Sequence, residues 1–269
     1  MQVDADIQGA FEEAQFAASV ADLAKGIARR YFRQQLSIVE KLDSSPVTIA
    51  DREIEHEMRR LIGATYPLDG IFGEEEAGVA LDSRRLWVLD PIDGTMSFIA
   101  GMPTFGTLLA FVDDGVPQVG VIDMPMLNER WIGVKGQPTT LNGDACRTRS
   151  CLRLDEALIS TTSPDLFPDE DWATFQIVSR NARIRRFGGD CYAYGLLASG
   201  CIDIVMESGL KPYDYLALAP VIEGAGGAIT GWRGEPLDMA SEGRVVASAN
   251  AQLHKEVIAR IEQAARRGD

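Results

Sequence analysis

Small apolar side chains recur every three or four positions through residues 6 to 33, at Ala10, Ala14, Ala17, Ala21, Ala24, Ala28 and Tyr31. That period predicts one long amphipathic helix, and its alanine stripe predicts close packing against a second helix. The turn-rich stretch KLDSSPVTIAD follows at residues 41 to 51. Its Thr48-x-x-Asp51 spacing resembles a helix-entry signal, with Ile54, Met58, Leu61 and Ile62 continuing the apolar face, so a second helix is expected over about residues 51 to 64.

Short apolar runs then replace the helical period. RLWVLD, residues 85 to 90, reads as a buried strand. FGTLLAFV and VPQVGVID flank DDG as a β-hairpin, and ERWIGV, closed by KG, adds another strand. Residues 1 to 146 are therefore expected to combine two helices with a mostly antiparallel sheet. Over residues 147 to 269, the strand candidates EALISTT, ARIRRF, CIDIVME, GAITGW and RVVASA alternate with helices near 171–180, 190–199, 214–225 and 250–266. That alternation predicts an α/β half with helices covering a sheet. No low-complexity linker or repeat divides the chain, so the halves are expected to share an interface.

The 269 residues are 46% hydrophobic and 25% charged, as in an ordinary globular protein. No apolar run approaches the ~18 residues of a membrane span, and the acidic N-terminal stretch has neither a basic nor an apolar leader region, so a cytoplasmic protein is expected. Four cysteines without a CxxC pair read as free or buried thiols. His56 and His254 lie in charged, helix-like sequence and are expected at the surface; two histidines are too few for a zinc site or a Ser-His-Asp hydrolase. A net charge of -14 argues against a nucleic-acid partner. It also disfavours an anionic substrate unless a divalent cation inverts the local charge.

Three acidic clusters supply candidates for that cation: GEEE (73–76), DPIDGT (90–95) and YD (213–214). Magnesium takes carboxylate, carbonyl and water oxygens in octahedral geometry. Asp90, Asp93 and the Ile92 carbonyl can face one small volume, with Glu74 and Asp214 completing the set from neighbouring loops. A helix beginning at Gly94-Thr95 would aim its free N–H groups at a phosphate beside the metal. Each cluster alone has a plainer reading: DG as a common turn, GEEE as a solvated loop, Asp51 and Asp214 as helix N-caps. A calcium EF-hand loop starting at Asp90 fails, because its third and twelfth positions are Ile92 and Gly101. Covalent aspartyl-phosphate enzymes are marked by Asp-x-Asp, whereas Asp90 and Asp93 are spaced Asp-x-x-Asp, which favours direct attack by water.

Taken in order, SPVTIADREIE, IFGEEEAG, WVLDPIDGTMSFIAGMPTFG and YDYLALAPVIEGAGG resemble the inositol monophosphatase superfamily of magnesium-dependent phosphatases over nearly the whole chain. The resemblance implies a layered αβαβα sugar-phosphatase fold, a homodimer and inhibition by lithium. It also implies Mg2+ held by Glu74, Asp90, Asp93, Asp214 and the Ile92 carbonyl, with Glu75 a weaker candidate. Asp51 and Thr95 match the pair that orients and deprotonates the attacking water, supported by Thr48, while Gly94 and Thr95 match the phosphate cradle. Residues 1 to 146 would then bind metal and phosphate, and residues 147 to 269 would carry substrate recognition and one metal ligand.

Two departures from the inositol enzymes narrow the substrate. GGDCYAYG (188–195) replaces their Gly-Ser/Thr-Ala-Ala, and Tyr213-Asp214 replaces Trp-Asp. Both resemble the histidinol-phosphate phosphatase branch of histidine biosynthesis. Histidinol phosphate carries an ammonium and an imidazole, so extra carboxylates at Asp190 and Glu207 would suit its cationic end; Asp190 could instead cap the helix that follows it. The alternatives are inositol monophosphate or a broad range of sugar phosphates, or a non-catalytic metal-binding scaffold.

Overall fold

In the computed structural model, which describes residues 2–35, 38–40 and 46–268, the alanine stripe forms α1 (Gln2–Tyr31). Ala14, Ala17, Ala21, Ala24 and Ala28 are all buried. Residues 41 to 45 of the expected turn lie outside the described residues. After the short strands β1 (Ile38–Glu40) and β2 (Pro46–Thr48), α2 (Ile49–Thr65) starts two residues earlier than expected. Thr48 is its N-cap and Asp51 its third residue, and the two bond reciprocally as a capping box.

The first sheet has seven strands in sequence order: β3 (Gly70–Gly73), β4 (Arg85–Asp93), β5 (Gly106–Asp113), β6 (Val116–Met124), β7 (Glu129–Val134), β8 (Thr140–Leu141) and β9 (Asp144–Ala145). Only β3 and β4 run parallel; the other pairs are antiparallel. β3 escaped the sequence reading because GIFG is four residues long and half glycine. Between β5 and β6, Asp114 and Gly115 both take positive φ, 51° and 75°, giving the tight hairpin that DDG predicts. The alternation of strand side chains makes two layers from one sheet. Trp87, Leu89, Leu109, Phe111, Val119 and Val121 pack under α1 and α2, while Leu86, Val88, Leu108, Ala110 and Ile122 face the middle of the molecule.

The middle layer holds α5 (Asp190–Ala198), α6 (Pro212–Tyr215) and α7 (Leu218–Gly224). The single helix expected over 214–225 is divided because Pro220 has no N–H to donate to the Leu216 carbonyl. Beyond it lies a second sheet of β10 (Leu158–Thr161), β11 (Ile184–Phe187), β12 (Ile204–Glu207), β13 (Ala228–Gly231) and β14 (Val245–Ser248), ordered β11-β10-β12-β14-β13. α4 (Asp169–Ser179) and α8 (Ala251–Gly268) cover its far face over Ile159, Ile204, Met206 and Val246. The result is the layered αβαβα arrangement. Among the described residues no helix is long and apolar enough to cross a membrane.

One surface expectation is overturned. His56 is exposed, but His254 lies on the core face of α8 between Leu253 and Val257 and is buried. Its ring nitrogens meet Ser248 Oγ at 3.1 Å and Thr230 Oγ1 at 2.9 Å, and burial lowers its pKa to about 4. The charged residues around it concealed the helical period that carries it inward. The four cysteines are free, as expected.

A row of small residues sets how closely α7 approaches the first sheet. Ala110, Gly120 and Gly133 stand side by side across β5, β6 and β7. A Cβ on Gly120 would lie 1.9 Å from the Ala217 carbonyl oxygen, and one on Gly133 2.4 Å from the Pro220 carbonyl carbon. Gly120→Ala should force α7 off the sheet at a cost of about 2 kcal/mol, lowering Tm by roughly 4–8 °C in thermal unfolding. An unchanged Tm would contradict this packing.

Candidate metal and phosphate site

Asp90 and Asp93 are three positions apart, so in a regular strand their side chains would point to opposite faces. The structure avoids this with an irregularity in β4. Asp90 pairs with Leu108 and Asp93 with Gly106, so two residues of β4 oppose the single Thr107. This bulge turns the second carboxylate back towards the first. Pro91 suits it because proline offers no ladder N–H, and its carbonyl instead accepts from Thr107 Oγ1 at 2.9 Å. The Ile92 side chain is driven into the core beneath α1, which leaves its carbonyl at the turn, where it accepts from Thr95 Oγ1 at 3.1 Å. Gly94 takes φ 83° to end the strand, and α3 (Thr95–Ile99) begins at once, as expected.

The other acids converge on this turn. Asp214 arrives from α6, held by the Lys211 N–H, which donates to its Oδ2 at 2.6 Å. Oxygens of Asp90, Asp93 and Asp214 lie within 4.8 Å of one another. Glu74 follows β3, the parallel neighbour of β4, so that both strands deliver carboxylates at their C-terminal ends. Asp51 stands in the first turn of α2, its Oδ2 accepting from the Thr48 N–H at 2.9 Å and the Thr48 hydroxyl at 2.6 Å. Its charge reaches Asp90. Asp51 and Asp214 are thus third residues of their helices rather than N-caps.

Electrostatics mark the cluster as unfavourable without a cation. Burial, and then Glu74, Asp93, Asp214 and Asp51, raise the Asp90 pKa well above the usual carboxylate range. Burial and Asp190 raise Asp93 to about 7, although its Oδ2 accepts from the Cys191 N–H at 2.5 Å. Burial and Asp93 push Asp214 well up. Asp90 Oδ1 is buried with no hydrogen-bond partner among the described residues. A buried carboxylate oxygen left bare is costly unless it meets a cation.

In front of the cluster opens a cavity of about 750 Å³. Its wall carries Glu74, Asp93, Asp165, Asp190, Glu207 and Asp214 against, among the described residues, one basic side chain, Lys211. Gly94 and Thr95 also line it, whereas Thr48, Asp51, Asp90 and Ile92 stand behind the wall. Asp190 does not cap its own helix: it is the first residue of α5, at φ 46°, and its Oδ2 accepts from Ser97 Oγ at 2.9 Å. A Cβ on Gly94 would lie 2.8 Å from that carboxylate, so this turn and Asp190 fit only with glycine. Burial raises the Glu207 pKa to about 8, although its Oε1 accepts from the Thr162 N–H and hydroxyl, both at 2.9 Å.

The sequence reading missed Ser97, Thr162, Lys211 and Tyr194 on this wall. Thr162 was legible as the residue just beyond β10, where α/β sheets place ligand contacts. Tyr194 lies one helical turn after Asp190 and so shares its face; its buried hydroxyl has no partner among the described residues. No spacing rule singles out Ser97 or Lys211.

The same architecture is found in known proteins. The model of the inositol monophosphatase family matches residues 12–266. The chloroplast bifunctional phosphatase IMPL2 of Arabidopsis thaliana is 46% identical over 253 residues, spanning 91% of this chain and 73% of its own length. The histidinol-phosphatase of Chlorobaculum parvum is 34% identical over 250 residues, spanning 92% and 95%. An inositol monophosphatase from Zymomonas mobilis superposes with a TM-score of 0.86 at 47% identity, covering 93% of this chain and 98% of that one. Since the match runs through every element that builds the carboxylate cluster, the chain belongs to the inositol monophosphatase family of phosphatases.

Proposed function

We propose that this phosphatase hydrolyses L-histidinol phosphate to L-histidinol and phosphate with Mg2+ as cofactor. The observation that carries the choice of ester is the cavity wall itself, where half-buried Asp190 and buried Glu207 add acid beside the phosphate turn. An ester whose leaving alcohol bears an ammonium or imidazolium relieves that charge; a neutral polyol does not. The likeness to a histidinol-phosphatase at 34% identity supports the same ester. A second reading, inositol 1-phosphate, is supported by the 47% identity to the Zymomonas mobilis inositol monophosphatase.

Enzymes of this family are metal-dependent, typically on Mg2+, and the donor set here fits such a hard cation: oxygens only, with the bare Asp90 Oδ1 among them. In this reading Glu74, Asp90, Asp93, Asp214 and the Ile92 carbonyl hold the metal. When bound, Mg2+ supplies charge neutralisation of the phosphoryl group, acidification of water and support for the leaving oxygen. Asp51, fixed by Thr48, and Thr95 orient the attacking water, and the Asp51 carboxylate takes its proton. The backbone N–H groups of Gly94 and Thr95 cradle the phosphate oxygens, which approach closely because Gly94 has no Cβ. Asp190 and Glu207 hold the cationic end of the alcohol. Residues 1 to 146 would supply the metal and phosphate machinery, and residues 147 to 269 substrate recognition and Asp214. A cytoplasmic homodimer belongs to the same reading.

Metal-stripped protein should release no phosphate from histidinol phosphate. Added Mg2+ should restore turnover, with kcat/KM at least tenfold above that for inositol 1-phosphate by about the strength of one charge-assisted bond. Preference for the inositol ester would select the second reading. Asp190→Asn should raise KM for histidinol phosphate roughly tenfold and change that for inositol 1-phosphate far less; equal KM values for wild type and variant on histidinol phosphate would remove Asp190 from substrate binding.

A further inference from the structure

α2 sends two acids towards the site from one face: Asp51 in its first turn and Glu55 one turn later, both fully buried. Glu55 does not line the cavity. Its Oε2 accepts from the Glu75 N–H at 2.7 Å, and its Oε1 accepts from the Glu76 N–H at 3.0 Å and from Arg59 Nε at 2.8 Å. Arg59, one turn further on, donates to the Glu76 carbonyl at 2.9 Å and the Ala77 carbonyl at 3.2 Å. The carboxylate therefore takes two N–H groups of the loop after β3, and the guanidinium takes two of its carbonyls. Gly73 closes the same loop from the other side, since a Cβ there would lie 2.3 Å from Glu55 Oε1. The chain is wrapped round a single buried carboxylate, and Glu74 sits between the glycine and the first anchored N–H.

We infer that Glu55, with Arg59, is a positioning residue for the Glu74 carboxylate, latching its loop so that Glu74 is presented to Asp90 and Asp214 before a cation arrives. This rests on the reading of Glu74 as a metal ligand. The physical grounds are specific. The Glu74 charge acts on Asp90, Asp93 and Asp214, so metal-free Glu74 is repelled by all three, and an untethered loop would swing it away into solvent. Two charge-assisted bonds to consecutive N–H groups oppose that motion. One helix thereby couples the water-orienting acid to a metal-ligating loop, since Asp51 and Glu55 move together. A pair that merely stabilised the fold would lower Tm while leaving each folded molecule's affinity for metal unchanged; buried ion pairs are in any case weak evidence of stability.

The test is a double-mutant cycle read by calorimetric titration of metal-stripped full-length protein with Mg2+ alone, at a temperature where circular dichroism shows each variant folded. Glu74→Gln should weaken Mg2+ binding. Glu55→Gln should weaken it about tenfold, as supporting residues around metal ligands typically do. The double variant should bind within about twofold of Glu74→Gln, because the latch has nothing left to position. Wild-type affinity in Glu55→Gln, or a double variant whose losses multiply, would overturn the inference. Wild-type affinity in Glu74→Gln would instead overturn the ligand role of Glu74, a failure visible in that single variant. Should Glu55→Gln not fold, Arg59→Lys keeps the charge opposite Glu55 but cannot reach both carbonyls. It should weaken binding severalfold in the wild-type background and not in Glu74→Gln; a loss that persists in Glu74→Gln overturns the inference.

Discussion

Mutual repulsion among carboxylates crowded round the buried Asp90 is the constraint on which the rest of the structure depends. Asp90, Asp93 and Asp214 bring oxygens within 4.8 Å of one another, with Glu74 and Asp51 close enough to add their charge. Like charges at that separation are tolerated only when protonated or when a cation stands among them. The surrounding chain invests backbone N–H groups in restraining them: Lys211 for Asp214, Cys191 for Asp93, and Thr48 for Asp51. Each of these donors sits at or beside a helix start, where N–H groups are unused by the helix itself.

The layered fold makes this convergence possible. Parallel β3 and β4 deliver Glu74 and Asp90 at neighbouring strand ends, while α2 and α6 aim Asp51 and Asp214 inward from opposite layers. Close approach matters as much as direction. The small-residue row Ala110, Gly120 and Gly133 lets α7 lie against the sheet, and α7 continues directly from the turn that carries Asp214. Glycine at 94 serves two purposes at once, the positive φ of the turn and the space occupied by Asp190.

Much of this was legible before the fold was known, because it is written in local signals. The alanine period of α1, the Thr48-x-x-Asp51 cap, the DDG hairpin and the Gly94 turn each depend on a few neighbouring residues. What stayed hidden depends on tertiary partners. The odd spacing of Asp90 and Asp93 looks wrong for a strand until the bulge opposite Thr107 is seen. His254 was masked by charged neighbours that share its sequence but not its helix face. Glu55 looks like one more surface acid in REIEHEM, and only the folded structure shows it buried and accepting from the Glu75 and Glu76 N–H groups. Tyr194 could have been found from its helical spacing to Asp190, but nothing local says that its hydroxyl would lack a partner.

The central claim, that a divalent cation balances this cluster, is tested most directly by the Tm of metal-stripped protein across pH 5 to 8, with and without Mg2+. Asp90, Asp93, Asp214 and Glu207 all have folded pKa values raised above their ordinary range, Asp93 to about 7 and Glu207 to about 8. Their contribution is fully present in acid and lost as pH rises through those values, so the metal-stripped protein should lose stability towards pH 8. Mg2+ binds the ionised form, so its stabilising effect should be small at pH 5 and grow steadily to pH 8. A Tm increment from Mg2+ that is absent, or the same at both ends of the range, would contradict the account.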